Sequence, residues 1–357
     1  MRKCMTIVAA AAVVLACVSG VQAVAMEWVI VGDPGNADDT HGDGYGGVDA
    51  AYDIGKHEVT NSQYAGFLNA VATLSDPNGL YNTDMGGGWN DIGGISRSGS
   101  GTGGDPWVYA TRPNRGNRPV NYVSWYDALR FANWMHNSQG NGDTEDGAYD
   151  MSLGSSVVRK PGARVFLPSE DEWYKAAYYK GGGTGAGYWD YPTESDIAPT
   201  AEAPPGTDLT NGSANYYDGS FVDNTYYTTV AGAYGFKPSD GAYGTFDQGG
   251  NVWEWNEADI LDDGQYRGLR GGSFSSYDYY LHAMDRNGDG DPTDEGYYIG
   301  FRVAKVPGPD PAIPTVSQWG LVAMALLVLT AGTLVWARRG AAKKESAVSP
   351  SEHITAL

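Results

Sequence analysis

Two carboxylates, Asp247 and Glu254, flank the stretch Gly249-Gly250-Asn251-Val252-Trp253, and Trp255 follows directly. The glycine pair permits a bend. Acids on either side of a bend suit a hard cation held by carboxylate and carbonyl oxygens. The same spacing also fits a tight turn carrying a solvated acid. Two indoles around one carboxylate imply a fixed core, because a buried indole N–H needs an acceptor.

Other candidates are weaker. His57 and Glu58 could form an acid–base pair, but the reading is a buried structural acid beside a surface histidine. Glu170, Asp171 and Glu172 could do acid–base work. Ser169 with Glu172 three residues on instead makes a capping box, and acids in a first turn suit the helix dipole. Asp285-Arg286-Asn287-Gly288-Asp289-Gly290-Asp291 echoes the start of an EF-hand loop. Its closing acid is out of register, since position twelve falls on Gly296, and clear flanking helices are lacking. This segment reads as an acidic surface loop, with a further weak calcium site as the alternative. The sequence carries no phosphate loop, zinc-spaced cluster or nucleophile elbow, and its five histidines are scattered.

Composition narrows the field. The net charge is −20, and basic residues gather partly at the two ends, so the centre is more acidic still. A phosphate backbone would be repelled, which argues against nucleic-acid binding. Cys4 and Cys17 both lie in the N-terminal apolar segment. A domain beyond that segment has no disulfide, thiolate metal site or cysteine nucleophile. The 51 glycines and 12% aromatic residues describe a loop-rich chain anchored by large side chains.

The elements follow from pattern. Trp28 to Val31 reads as a first strand. Tyr52 onward reads as a strand running into Thr60, which caps a helix whose apolar face is Tyr64, Phe67, Leu68 and Val71. Residues 85–107 read as one long loop. Ser124 caps a second helix filled by Ala128, Phe131, Ala132, Trp134 and Met135, and Ser169 opens a third. Residues 192–205, with four prolines, read as extended coil.

Five motifs, in order, carry a family resemblance. They are Ile54-Gly55-Lys56-His57-Glu58-Val59-Thr60-Asn61, then Pro119-Val120-Asn121-Tyr122-Val123-Ser124-Trp125, and Arg164-Val165-Phe166-Leu167-Pro168-Ser169-Glu170. Gly250-Asn251-Val252-Trp253-Glu254-Trp255 with Arg270-Gly271-Gly272-Ser273 is the fourth, and Gly300-Phe301-Arg302-Val303 the last. Together they resemble the formylglycine-generating enzymes, or sulfatase-modifying factors, over most of residues 27–305. The resemblance implies an α+β, C-type-lectin-like fold: one loop-rich domain with little regular structure. It implies one calcium held by Asp247, Glu254 and the carbonyls of Gly250 and Val252. It implies a second calcium near Asn215, the carbonyl of Tyr216, and Asp223. In the copper-dependent members two cysteines fall where Ser276 and Leu281 stand here, and Ser273 matches a serine of the pocket. A hydroxyl and an alkyl group cannot hold copper(I), which prefers thiolates.

The ends read as targeting segments. Residues 1–25 have a basic start, an apolar run and the Ala23-Val24-Ala25 pattern of a signal peptide. The domain is assigned to 26–305 and a proline-rich linker to 306–312. Residues 313–340 are assigned to a sorting signal or transmembrane helix, in which Leu321 to Ala337 carries no charge, Arg338-Arg339 stops the run, and with Trp319 it is long enough to span a bilayer, leaving 341–357 as a cytoplasmic tail. This end resembles the IPTL-CTERM sorting signal, which implies handling by an exosortase-like enzyme; a plain membrane anchor is the alternative. Two functions remain: a non-catalytic, calcium-stabilised binding or scaffold module at the envelope, with an extracellular protein or glycan as ligand, or an oxidase-like enzyme using a different site.

Overall fold

A computed structural model describes residues 23–308 apart from 42–43, 141–142 and 236–239. They belong to a compact unit ending at Pro311; a second unit, Ala312–Leu357, lies outside the described residues. The leader expected over 1–25 is therefore described only at its last three residues, and the run and tail expected over 313–357 not at all. Among the described residues, no helix is long and apolar enough to cross a membrane.

From the N-terminus, β1 (Trp28–Val31) and β2 (Tyr52–Gly55) precede α1 (Asn61–Val71). The hairpin β3 (Ile95–Ser98) and β4 (Val108–Thr111) leads to α2 (Trp125–His136). Then come β5 (Val165–Phe166), α3 (Glu170–Tyr178) and the short pair β6 (Thr200–Ala201) and β7 (Ser213–Ala214). The chain continues with β8 (Trp253–Asp259), β9 (Arg267–Arg270), β10 (Asn287–Gly290), β11 (Ile299–Phe301) and β12 (Ala304–Lys305). This is the α+β, loop-rich organisation expected.

Helix starts lie where their caps predict. Thr60, Ser124 and Ser169 each accept from the N3 amide while the N3 side chain accepts in return, giving three capping boxes. Helix faces meet in one aromatic core: Phe131 lies 5.4 Å from both Phe67 and Phe301, and Phe67 lies 5.3 Å from Trp134.

Two four-stranded sheets frame the site. In the first, ordered β1-β2-β12-β5, the C-terminal β12 enters between strands from the N-terminal half. In the second, ordered β10-β9-β8-β11, β11 runs parallel to β8, pairing Gly300 with Glu254. The step between β11 and β12 therefore carries Arg302 from one sheet to the other.

Three expectations change. The strand ends at Gly55 rather than running into Thr60, because Gly55 and Lys56 bond to Val303 and Glu27. Residues 85–107 are not one loop but hold two 3₁₀ turns and a strand, β3, that pairs with β4. Within Asp285–Asp291, Asn287 pairs with Leu269 and Gly290 with Arg267, so much of the EF-hand-like segment is an edge strand.

Asp127, at N3 of α2, accepts from the Ser124 amide at 3.0 Å and hydroxyl at 2.7 Å. Burial pushes its carboxyl up to about 7; Ser124 and Arg130 oppose the shift and Glu295 adds to it. The folded state thus holds a proton that the unfolded chain releases near pH 4. Stability should fall as pH rises from about 4 to 7, by at most about 1.4 kcal/mol per pH unit for one proton. Asp127→Asn should flatten that decline in urea titrations. Identical pH dependence in both proteins would refute it.

Candidate functional site

The turn before β8 is built by residues in unusual backbone regions. Asp247 and Asn251 adopt φ of 61°, and Gly250 lies at 87°. Glycine is required at 250, since a Cβ there would meet the Asn215 carbonyl oxygen at 2.2 Å. The turn delivers Asn251, Trp253, Glu254 and Trp255 into the interior, all buried.

Glu254 is not solvated. Its two oxygens meet the Arg302 guanidinium, each at 2.6 Å, and the Trp173 indole N–H donates to one of them at 2.7 Å. Arg302 continues to the carbonyls of Gly55 at 3.0 Å and Phe246 at 2.8 Å. Asn251, named by the motif without a role, is a hub. Its Nδ2 donates to Glu58 at 3.0 Å, and its Oδ1 accepts from Asn215 at 3.1 Å and the Thr229 amide at 2.8 Å. The signal for this hub was its place between the glycine pair and the indoles.

Electrostatics follow from burial. Burial and the Asp247 carboxylate push Glu58 well above the usual carboxylate range, and burial pushes Asp247 up to about 6. Asp247 accepts from the Gly232 amide at 2.6 Å. Glu58 is the buried acid expected. His57 is not the surface residue expected: it is half-buried, with its ring 5.6 Å from Phe246. Burial and Arg302 push its imidazole down to about 4.

The expected calcium ligands sort unevenly. Asn215 and Gly250 are bridge partners, so the two implied sites adjoin. Asp247, Val252, Glu254 and Tyr216 are all buried nearby in sequence and fold. The set containing Asp247 and Glu254 does not fit a cation as arranged, because Arg302 already supplies the positive charge at both Glu254 oxygens. Asp223 is engaged by other groups: its carboxylate caps the Thr225 and Tyr226 amides and faces Arg118 at 3.5 Å. Asn215 keeps a buried Oδ1 with no donor. Among the described residues, no three His, Cys, Asp or Glu side chains converge as a metal cluster.

The Arg270-Gly271-Gly272-Ser273 segment has its own anchor. Arg270 meets Glu170 at 2.7 Å and donates to the carbonyls of Ala283 and Asp285, while Arg286 meets the other Glu170 oxygen at 2.6 Å. Glu170 thus does more than favour its helix dipole. Ser273 lies 3.1 Å from both the Ser275 and Ser276 hydroxyls. Leu281 is 0% exposed and packs with Tyr191, Ala214 and Tyr216.

A chain of rings continues from the serines, with the Tyr217 amide bonded to the Ser276 carbonyl. Tyr217 meets Tyr277 at 5.5 Å, Tyr277 is stacked near-parallel on Tyr279 at 5.9 Å, and Tyr279 meets Tyr280 at 4.3 Å. Tyr277 and Tyr279 are 49% and 52% exposed.

Cutting the buried pair should be costly. Arg302→Met should destabilise the domain by about 3–5 kcal/mol, as removal of one partner strands a buried charge. Adding Glu254→Gln should restore a large part of the loss in urea titrations. A double variant no more stable than the single one would show that the two residues do not act as a pair.

The sulfatase-modifying factor enzyme 1-like domain matches residues 46–307, and the IPTL-CTERM motif matches residues 311–340. Among solved structures, Treponema denticola variable protein 1 is 23% identical, covering 80% of this chain and 97% of that one, with a TM-score of 0.49. CarF is 19% identical, covering 80% of this chain and 100% of its own, with a TM-score of 0.49. PvdO from Pseudomonas aeruginosa is 19% identical, covering 79% and 92%, with a TM-score of 0.43. No curated protein matches the chain.

Proposed function

Because the chain belongs to the sulfatase-modifying factor enzyme 1-like domain family and ends in a sorting motif that suggests export, we propose that it is a non-catalytic binding module displayed at the cell envelope. The observation that carries this reading is at the two positions where copper-dependent members hold cysteine. Leu281 is an alkyl group sealed in the core, and Ser276 is a hydroxyl tied to Ser273. Neither supplies the thiolate that copper(I) requires. The exposed tyrosines between them in sequence, Tyr277 and Tyr279, offer rigid rings with polar tips, suited to stacking on a sugar or to packing against a protein surface. The ligand is accordingly an extracellular glycan or protein, and the C-terminal run would hold the domain at the membrane until an exosortase-like enzyme removes it.

The test joins chemistry to binding. Purified protein incubated with copper, oxygen and a peptide bearing a sulfatase cysteine motif should form no aldehyde above the enzyme-free control. Aldehyde formation would establish the oxidase reading instead. On a glycan array and a panel of envelope proteins, Tyr277→Ala with Tyr279→Ala should weaken the best hit at least tenfold. Undiminished binding would remove the tyrosine face from the proposal.

Calcium enters this reading only at Asn215, whose free Oδ1 with the Tyr216 carbonyl would offer neutral oxygens. Such a set would bind at the weak, roughly millimolar end of extracellular calcium sites. The ion would stabilise the fold and take no part in ligand chemistry. At 5–10 mM calcium (order of magnitude) the melting temperature should rise, and chelator should reverse it. Asn215→Ala should lose the response; the same response in both proteins would reject the site.

A further inference from the structure

The pattern Ala23-Val24-Ala25 favours cleavage after Ala25, which would discard Val24. The fold uses Val24. It is 7% exposed and joins the main core. Its amide donates to Gln139 Oε1 at 2.7 Å, and its carbonyl accepts from Gln139 Nε2 at 2.7 Å. Gln139 makes both bonds from a backbone held at φ 57°, a region costly for a residue with a side chain. Opposite, α1 presents Gly66, where the only neighbour an added Cβ would meet is Val24 Cγ2, at 2.7 Å. The following residues are fixed too: the Ala25 carbonyl accepts from Gln63 at 2.8 Å and the Glu27 carbonyl from the Lys56 amide at 2.8 Å.

A cut after Ala25 would empty the space beside Gly66 and strip the Gln139 amide of both backbone partners. A cut one step earlier in the alternation, after Ala23, keeps every contact of Val24 and leaves the small Ala23 directly before the cleaved bond, with the aliphatic Val21 two positions ahead of it. We infer that the mature chain begins at Val24 and that Gln139 and Gly66 form a seat for its new N-terminus. Hydrolysis of the Ala23–Val24 amide consumes one water and yields a carboxylate on Ala23 and an α-ammonium on Val24. One ammonium proton serves Gln139. The others face the open groove of about 840 Å³ that Val24 and Ala25 line.

This inference rests on the export proposed above, and the test separates the two. The full chain is expressed in a bacterium able to export it, recovered from the envelope, and its first residue read by mass and N-terminal sequencing. Val24 is expected. Met26 would overturn the seat while leaving export intact; Met1 would overturn both. Gly66→Ala supplies an independent reading. In a chain beginning at Val24 the new methyl meets the seated valine, and the melting temperature should drop by about 3 °C. In a chain lacking Val24 the same change replaces a mid-helix glycine and should raise it. A rise in protein that begins at Val24 would overturn the seat.

Discussion

The buried pair of Glu254 and Arg302 is the constraint on which the domain depends. A carboxylate and a guanidinium out of water cost several kcal/mol each unless every polar atom is matched. Here the match draws in five separate segments. Glu254 comes from β8, Arg302 from the step between the sheets, Trp173 from α3, the Gly55 carbonyl from the end of β2 and the Phe246 carbonyl from the bridge before the Asp247 turn. The pair is therefore less a source of net stability than a device for register. Any shift of β8 against α3 or β11 would strand a charge in the core.

The same device recurs because regular structure is sparse. Arg270 and Arg286 share Glu170 and fix the segment from Ala283 to Asp285. Arg159 joins Glu172 on α3 to Glu257 on β8. Asn61 and Asn133 donate to the carbonyls of loops that no strand pairs. With long stretches of backbone outside helices and sheets, buried carbonyls need donors, and side-chain amides and guanidinium groups provide them. Cys4 and Cys17 both precede the described residues, so no cysteine staples these loops and polar networks take that role.

This architecture separates scaffold from site. The anchors of the family motifs, Glu254, Arg302, Arg270 and Asn251, are all engaged in holding the turn and the segment after it. Of the positions that follow, Ser273, Phe274, Ser276 and Leu281 are buried, whereas Tyr277 and Tyr279 face out. An alkyl side chain at Leu281 even adds to the core with Tyr191 and Tyr216. The two exposed tyrosines, Tyr277 and Tyr279, thus stand on a frame whose buried polar groups are engaged with one another.

What the sequence determined by itself was local. The three helix starts were legible because a capping box is closed within four residues, and the motif order announced the family and its α+β class. What only tertiary structure decided was the partner of each buried polar group. Glu254 read as a cation ligand or solvated acid until Arg302, 48 residues on, took both its oxygens. Asn251 meets Glu58 across 193 residues, and the strand within Asp285–Asp291 exists because β9 lies beside it. Spacing along the chain encodes backbone periodicity. A charge buried in a low-dielectric core is defined instead by whichever opposite charge the fold brings within hydrogen-bond reach, and that distance is not a function of sequence separation.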